Sequence, residues 1–469
     1  ATNGSTQWER STLSVLARVI YNYKGKYLFN GSFRRDGSSA FSYTGNEWQN
    51  FFSLGGGWLM SEEEFMKDIK WLDMLKIKAS YGTLGNQNLD KAYPAEPLLT
   101  NAYSAVFGKP SIIYPGYQLA YLPNPNLRWE KVEAWEAGFE TNLLRNRLHF
   151  EGVYYKKNTK DLLAEVPGIS GTIPGIGNLG EIQNKGVEMA VTWRDQIGDW
   201  GYSVSANLTT IKNEVKSLVQ EGYSIIAGDK QQSYTMAGYP IGYFYGYKTN
   251  GIFKSEEEVK AYTNSKGELY QPLAKPGDFR YADTNNDGVL DSDDRINLGD
   301  AVPDFCYGLN LDLEYKNFDL NVFMQGVQGT QIWNAIRYTF GFTGLKYNYF
   351  SEIMDRWTPD NVNATVPRAT WMDPNNNKRP SDYYLENGSY LRMKNISLGY
   401  TIPKVLTRKI GLEKIRFYVS AQNLFTITSY SGYDPELGID TIGADLESNV
   451  DRGQYPQSKS YSFGVNLVF

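Results

Sequence analysis

At 469 residues the chain is long enough for one large β-architecture or for two to three ordinary domains. A net charge of −5 and a pI near 5.3 argue against a nucleic-acid partner. One cysteine, Cys306, and one histidine, His149, exclude an internal disulfide framework and any multi-cysteine metal site. The 36 tyrosines and 45 glycines suit strands joined by many turns. No apolar run reaches the ~18 residues of a membrane helix, which leaves membrane barrels open, because their strands alternate. The opening "ATNGSTQWERSTLS" has neither the basic start nor the apolar core of a signal peptide.

In chain order, the first strands are expected near 12–24, 26–36, 50–60, 74–84, 130–143 and 147–158. The next is plainer: Val187, Met189, Val191 and Trp193 alternate with Glu188, Ala190 and Thr192. At 202–209, Tyr202, Val204, Ala206 and Leu208 alternate with serine, asparagine and threonine. At 307–316, Tyr307, Leu309, Leu311, Leu313 and Tyr315 take one face, and Gly308, Asn310, Asp312, Glu314 and Lys316 the other. Further strands follow near 318–328, 395–402 and 414–426, and "YSFGVNLVF" ends the chain on Phe469. These make about thirteen strands of about ten residues, the length a tilted strand needs to cross a bilayer.

The connectors alternate in length. Short links at 24–26, 61–73, 144–146, 195–199, 317 and 403–413 interleave with long ones near 37–49, 85–129, 159–183, 213–304, 329–389 and 427–459. Short turns on the periplasmic side and long loops outside are the habit of a membrane barrel. The first and last strands then both run inward. Even strand numbers in such barrels require an odd number of strands before Ala1, so the chain is expected to be the C-terminal part of a barrel. A final alternating strand ending in phenylalanine resembles the signal read by the outer-membrane assembly machinery.

One loop carries metal-ligand spacing. In "DTNNDGVLDSDD", Asp283, Asn285 and Asp287 hold positions 1, 3 and 5, and Gly288 holds the turn at 6. Val289 offers its carbonyl at 7, Asp291 stands at 9 and Asp294 at 12. This is EF-hand spacing with Asp in place of the final Glu. It predicts Ca²⁺, with Mg²⁺ as the alternative, in a long outer loop. "PGIGNLG" holds Gly175, Gly177 and Gly180 as G-x-G-x-x-G, but it does not follow a strand and open a helix, so it reads as a glycine-rich loop. His149 is expected on the polar face of its strand with Arg147 and Glu151, and Cys306 as an inert residue at a strand start. No residue set singles out a catalytic site, so the chain is not read as an enzyme.

Several stretches carry a family likeness: "LARVIYNYKGKYLFNGSFRRDGSSAF", "IKASYGTLGNQNL", "NPNLRWEKVEAWEAGFE", "GNLGEIQNKGVEMAVTW", "GDFRYADTNNDGVLDSDDRINLG" and "YLRMKNISLGYTIP". Together with Ala421–Thr428 and Tyr433–Glu436 they resemble the SusC/RagA family of TonB-dependent outer-membrane transporters of Bacteroidota. The resemblance implies a barrel of about 22 strands, an N-terminal plug and a TonB-contacting segment, with the plug and about nine strands outside residues 1–469. It also implies a SusD-like surface lipoprotein as partner, two such pairs associating, and import of nutrient oligomers, glycans before peptides. Two other readings remain: a passive pore or surface adhesin, and a secreted Ca²⁺-binding, carbohydrate-binding β-protein.

Overall fold

The computed structural model describes residues 8–89, 93–166, 175–228, 230–344, 348–438 and 446–469. It divides into two compact units, residues 1–191 with 212–223, and residues 192–211 with 224–469. Both are built from long antiparallel strands that pair in sequence order.

The first unit carries β1 (Thr12–Tyr23), β2 (Tyr27–Ser38), β3 (Trp48–Leu59), β4 (Leu72–Asn86), β5 (Glu130–Leu143), β6 (Leu148–Lys160) and most of β7 (Gly180–Ile197). The second carries the end of β7, then β8 (Trp200–Thr210), β9 (Phe305–Tyr315), β10 (Phe318–Gln328), β11 (Tyr390–Thr401), β12 (Lys414–Gln422) and β13 (Ser460–Val468). All thirteen expected strands are present, with ends displaced by a few residues in most cases.

Turn chemistry fixes the registers. Between β1 and β2, Lys24 and Gly25 both take left-handed backbone, φ 54° and 69°. The Asn22 side chain accepts the Gly25 N–H at 2.8 Å. Such a turn matches the twist of the flanking strands. It sets Tyr23 opposite Tyr27 and Val15 opposite Arg35. The short links between strands are the predicted ones; the 3₁₀ turn Met60–Glu62 leads into 61–73, which holds a second, Glu64–Met66.

The long connectors carry structure of their own. Within 85–129, Leu99–Phe107 pairs with Ile112–Leu119 as a ribbon. Within 213–304, four short strands (Ser224–Ala227, Ser233–Met236, Tyr243–Tyr247 and Arg295–Gly299) form a small sheet, and the same connector holds the helix Glu256–Ala261. The glycine-rich segment is also part of a ribbon: Gly175–Asn178 pairs with Leu163–Val166. Gly180 opens β7 at φ 143°, where a Cβ would lie 2.0 Å from the Ser217 carbonyl oxygen. Close backbone approach, and not a phosphate, accounts for that glycine.

The largest buried clusters lie mainly in the connectors. In the second unit Phe244, Phe279, Tyr281, Trp333, Phe342 and Tyr384 form an aromatic cluster within the long loops. In the first, Phe41, Leu127, Trp129 and Ile176 pack around Phe51 of β3. In each unit the long strands form a layer whose two faces differ in chemistry.

Candidate functional site: a two-faced wall and an acidic loop

On one face of the first unit, polar side chains pair across strands. Lys76 of β4 stands 3.6 Å from Glu140 of β5. Lys78 pairs with Glu151 of β6, and Ser80 donates to Glu136 at 3.4 Å. His149 lies on this face as expected, its Nδ1 2.7 Å from the Asn142 side-chain oxygen. The other face of the same sheet presents Val15 and Val19 of β1, Phe29 and Phe33 of β2, Leu54 of β3 and Trp135 of β5, all exposed.

The second unit repeats the division. Asn310 donates to Asp312 at 2.6 Å. Asn321 of β10 donates to Asn310 at 3.0 Å and to Asp312 at 2.7 Å. Asn395 of β11 donates to Asn321 at 3.0 Å, so the ladder crosses three strands. Opposite it, Leu309, Leu311 and Leu313 stand across from Met324, Val322 and Leu320. The predicted split of residues 307–316 into an apolar and a polar face is therefore observed. Such a layer is stable only with water on one side and hydrocarbon on the other.

Aromatic rings collect where the strands meet their short turns. Trp200 stacks on Tyr315 at 4.4 Å, and Phe318 packs on Tyr400 at 4.8 Å. In the first unit the Glu63 carboxylate, in the link after β3, accepts from Tyr27 at 2.7 Å, Trp58 at 3.2 Å and Lys26 at 3.1 Å. Those bonds, Tyr27's first, hold its pKa down at about 2. Tyrosine and tryptophan with one wet end suit a membrane interface.

The acidic loop closes on its own backbone. The two Asp283 oxygens accept the N–H groups of Asn286 at 2.7 Å and Gly288 at 3.0 Å. Asn285 accepts from the Asp287 N–H at 3.0 Å, and Asp287 from the Val289 N–H at 2.8 Å. Asp291 accepts from Asp293 at 2.8 Å. Asp294 is fully buried. Its oxygens take the N–H groups of Thr284 at 2.7 Å and Asp291 at 2.9 Å. Gly288 makes the sharp turn at φ 87°.

Burial raises the Asp294 pKa against the pull of its backbone donors. Burial also pushes on Asp283, but the Gly288 N–H and the Tyr270 hydroxyl outweigh it and hold its carboxyl below the ordinary range. Among the described residues no three His, Cys, Asp or Glu side chains converge closely enough to hold a metal. The predicted oxygens all lie in one loop, and Asp294 is engaged as its clasp. The Asp283 oxygens are taken up as well, by the N–H groups of Asn286, Asp287 and Gly288 and by the Tyr270 hydroxyl. Free lone pairs are left on Asp287 and Asp291, oxygens of the kind a hard cation takes.

Two ion-pair clusters escaped the sequence reading. Arg392, buried on β11, bonds Thr426 at 2.8 Å and Glu436 at 2.6 Å and also pairs with Asp434. Lys394 reaches the same Glu436 at 2.6 Å. They pin the segment around Pro435 to the wall. Arg368 similarly grips the buried Asp278. Nothing in local spacing marks these pairs, whose members lie at least 42 residues apart.

A meander with one polar and one apolar face, aromatic rings at its short turns and its extra mass in alternate loops is the wall of an outer-membrane β-barrel. The chain belongs to the TonB-dependent receptor family: the model described as "TonB dependent receptor-like, beta-barrel" matches residues 1–424. TonB-dependent receptor P3 of Formosa agariphila is 34% identical over 473 residues, covering 98% of this chain and 46% of that protein. TonB-dependent receptor SusC of Bacteroides thetaiotaomicron is 28% identical, covering 98% and 44%. The structure of the RagAB peptide transporter superposes with TM-score 0.81 at 28% identity, covering 98% of this chain and 48% of that one. The chain thus spans about half the length of the relatives it matches. The family sets aside the reading of a secreted soluble β-protein.

Proposed function

We propose that the chain forms part of the barrel wall of a TonB-dependent importer that carries nutrient oligomers across the outer membrane. The observation that carries this is the polar ladder, Asn310–Asp312–Asn321–Asn395, backed by an apolar face on the same strands. It is a surface built to be wet inside a membrane. The energy would come through TonB and a plug outside this sequence, without chemistry on this chain.

The remaining strands are proposed to come from the rest of a longer protein. Every residue of β1 is exposed, and its ladder among the described residues is with β2. Bare strand backbone in hydrocarbon costs several kcal/mol per group. With relatives about twice as long, we propose that β1 and β13 each pair with strands outside residues 1–469, toward a barrel of about 22.

We propose glycan oligomers as cargo, with peptides, named for RagAB, as the competing reading. A cleft of about 300 Å³ in the outer loops supports glycans. Tyr433, 68% exposed, and Phe350 flank Asn334, Arg337 and Glu352 there. An open ring beside planar polar groups can stack on a sugar face and bond its hydroxyls. A SusD-like lipoprotein is the proposed partner, with two pairs associating. The ribbon Leu99–Phe107/Ile112–Leu119 leaves Val106, Phe107, Ile113 and Tyr117 exposed, apolar area that a protein partner would cover. The acidic loop is proposed to take Ca²⁺, or Mg²⁺, and to stiffen the outer loops.

The test is uptake of labelled oligosaccharides and peptides by cells carrying the complete protein and its lipoprotein, with and without TonB. TonB-dependent oligosaccharide uptake is expected. Equal uptake without TonB means a passive pore, and peptide uptake alone reverses the cargo assignment.

A further inference from the structure

The apolar face of the first unit is not smooth. Pairing sets Phe29, Gly56, Ala79, Ala137 and Tyr154 in one row across β2 to β6. The three middle positions carry almost no side chain. The next row toward the long loops holds Leu54, Tyr81 and Trp135, and the next toward the short turns holds Trp58, Ile77 and Phe139. The result is a groove of about 690 Å³, floored by Gly56, Ala79 and Ala137. Tyr81 and Trp135 brace each other at 5.1 Å along its upper wall. Phe29 and Tyr154 close its ends.

The groove lies just beneath a collar of charge on the same face. Glu133 is shared by Lys131 at 3.1 Å and Lys160 at 2.8 Å, two ammonium groups on one carboxylate. Lys156 stands opposite Trp135, at the groove's upper edge. It pairs with no carboxylate among the described residues. Glu181 also acts on Lys160, so two carboxylates answer Lys131 and Lys160, and Lys156 is the positive charge left over at the long-loop end of β5 and β6. The groove floor is two residues, about 7 Å, farther along the strands. A positive charge at the long-loop edge of an apolar furrow is complementary to a molecule with an anionic head and an apolar tail.

We propose that this groove is a lipid site: it seats an acyl chain of an anionic, phosphate-bearing lipid of the outer leaflet, and Lys156 holds the phosphate. Bulk hydrocarbon wets any barrel, but a furrow with rigid aromatic walls fixes one chain. An ammonium with no carboxylate partner among the described residues gains most from a phosphate beside it. The site would anchor the wall to the outer leaflet without touching cargo.

The test uses the complete protein in nanodiscs of phosphatidylcholine doped with bis-phosphorylated lipid A, followed by native mass spectrometry after detergent release. Wild type is expected to retain lipid A over phosphatidylcholine. Ala79→Leu with Ala137→Leu fills the groove and should cut retained lipid roughly tenfold, the equivalent of about two buried methylenes. Lys156→Gln leaves the groove intact and should abolish the preference for lipid A while phosphatidylcholine is still retained. Should the filled variant not assemble, Lys156→Gln alone decides. Unchanged retention in the filled variant, or an unchanged preference in Lys156→Gln, overturns the proposal.

Discussion

Arg368 places Nε 2.6 Å from Oδ1 of Asp278 and Nη2 3.1 Å from Oδ2, a two-pronged grip on a carboxylate that is fully buried. The pair ties the loop before β9 to the loop after β10. Asn377 adds a bond to Oδ1 at 2.9 Å, and the Lys275 N–H one to Oδ2 at 2.9 Å. Arg368→Ala would strand that charge, at a cost of about 3–5 kcal/mol to the loop assembly. Limited proteolysis should then cut the outer loops while the strands keep their heat resistance. Arg368→Lys should fall between, because an ammonium cannot fork onto both oxygens. Loops as resistant as wild type in Arg368→Ala would show that the pair does not hold them.

The two faces of β9 give the second prediction. Leu311→Arg puts a charge on the apolar face near mid-strand and should cost about 2–4 kcal/mol. Asp312→Asn, one residue on, stays in the ladder with Asn321 and should leave assembly nearly unchanged. Heat-modified mobility on gels reads both. Equal assembly of the two variants would reverse the assignment of the faces.

The strands were legible because two-residue alternation over about ten positions is a strong signal, and short turns such as Lys24-Gly25 punctuate it. The loop strands were not. Gln331–Asn334 and Tyr243–Tyr247 are too short to show a period. Their apolar residues, Trp333 and Phe244, are buried against one another through pairing no local pattern encodes. The acidic loop was found by spacing, yet spacing could not show that Asp294 spends its oxygens on Thr284 and Asp291. The groove was invisible for another reason: Gly56, Ala79 and Ala137 become neighbours only once the register is known.

Glu63 gives the acid limb. Its folded pKa of about 2 lies below the unperturbed 4.5, so its stabilisation is fully present above pH 4.5 and drains as the pH falls toward 2. Trp58 bonds this carboxylate, so its fluorescence should change over that window. Glu63→Gln should flatten the change there and leave neutral pH nearly untouched. An identical acid limb in both proteins would remove Glu63 as its cause.

The acidic loop supports a prediction in which clasp and metal separate. Asp294→Ala removes the acceptor of two N–H groups, so it should loosen the loop by about 1–3 kcal/mol even in chelator. Asp287→Ala frees only the Val289 N–H and the Asn285 amide, both near the surface, and should matter little without metal. With Ca²⁺ the order changes. The loop is expected to bind it with Kd on the order of 10⁻⁴–10⁻³ M, as outside a cell where the ion is plentiful. Asp287→Ala should then weaken binding at least about tenfold, since a carboxylate is lost from a set of hard oxygens. Calorimetry on the complete protein, with Mg²⁺ as the competing ion, reads the affinity, and hydrogen exchange across 283–294 reads the clasp. No heat at millimolar Ca²⁺, with exchange still dependent on Asp294, would leave a self-closed acidic turn and no metal site.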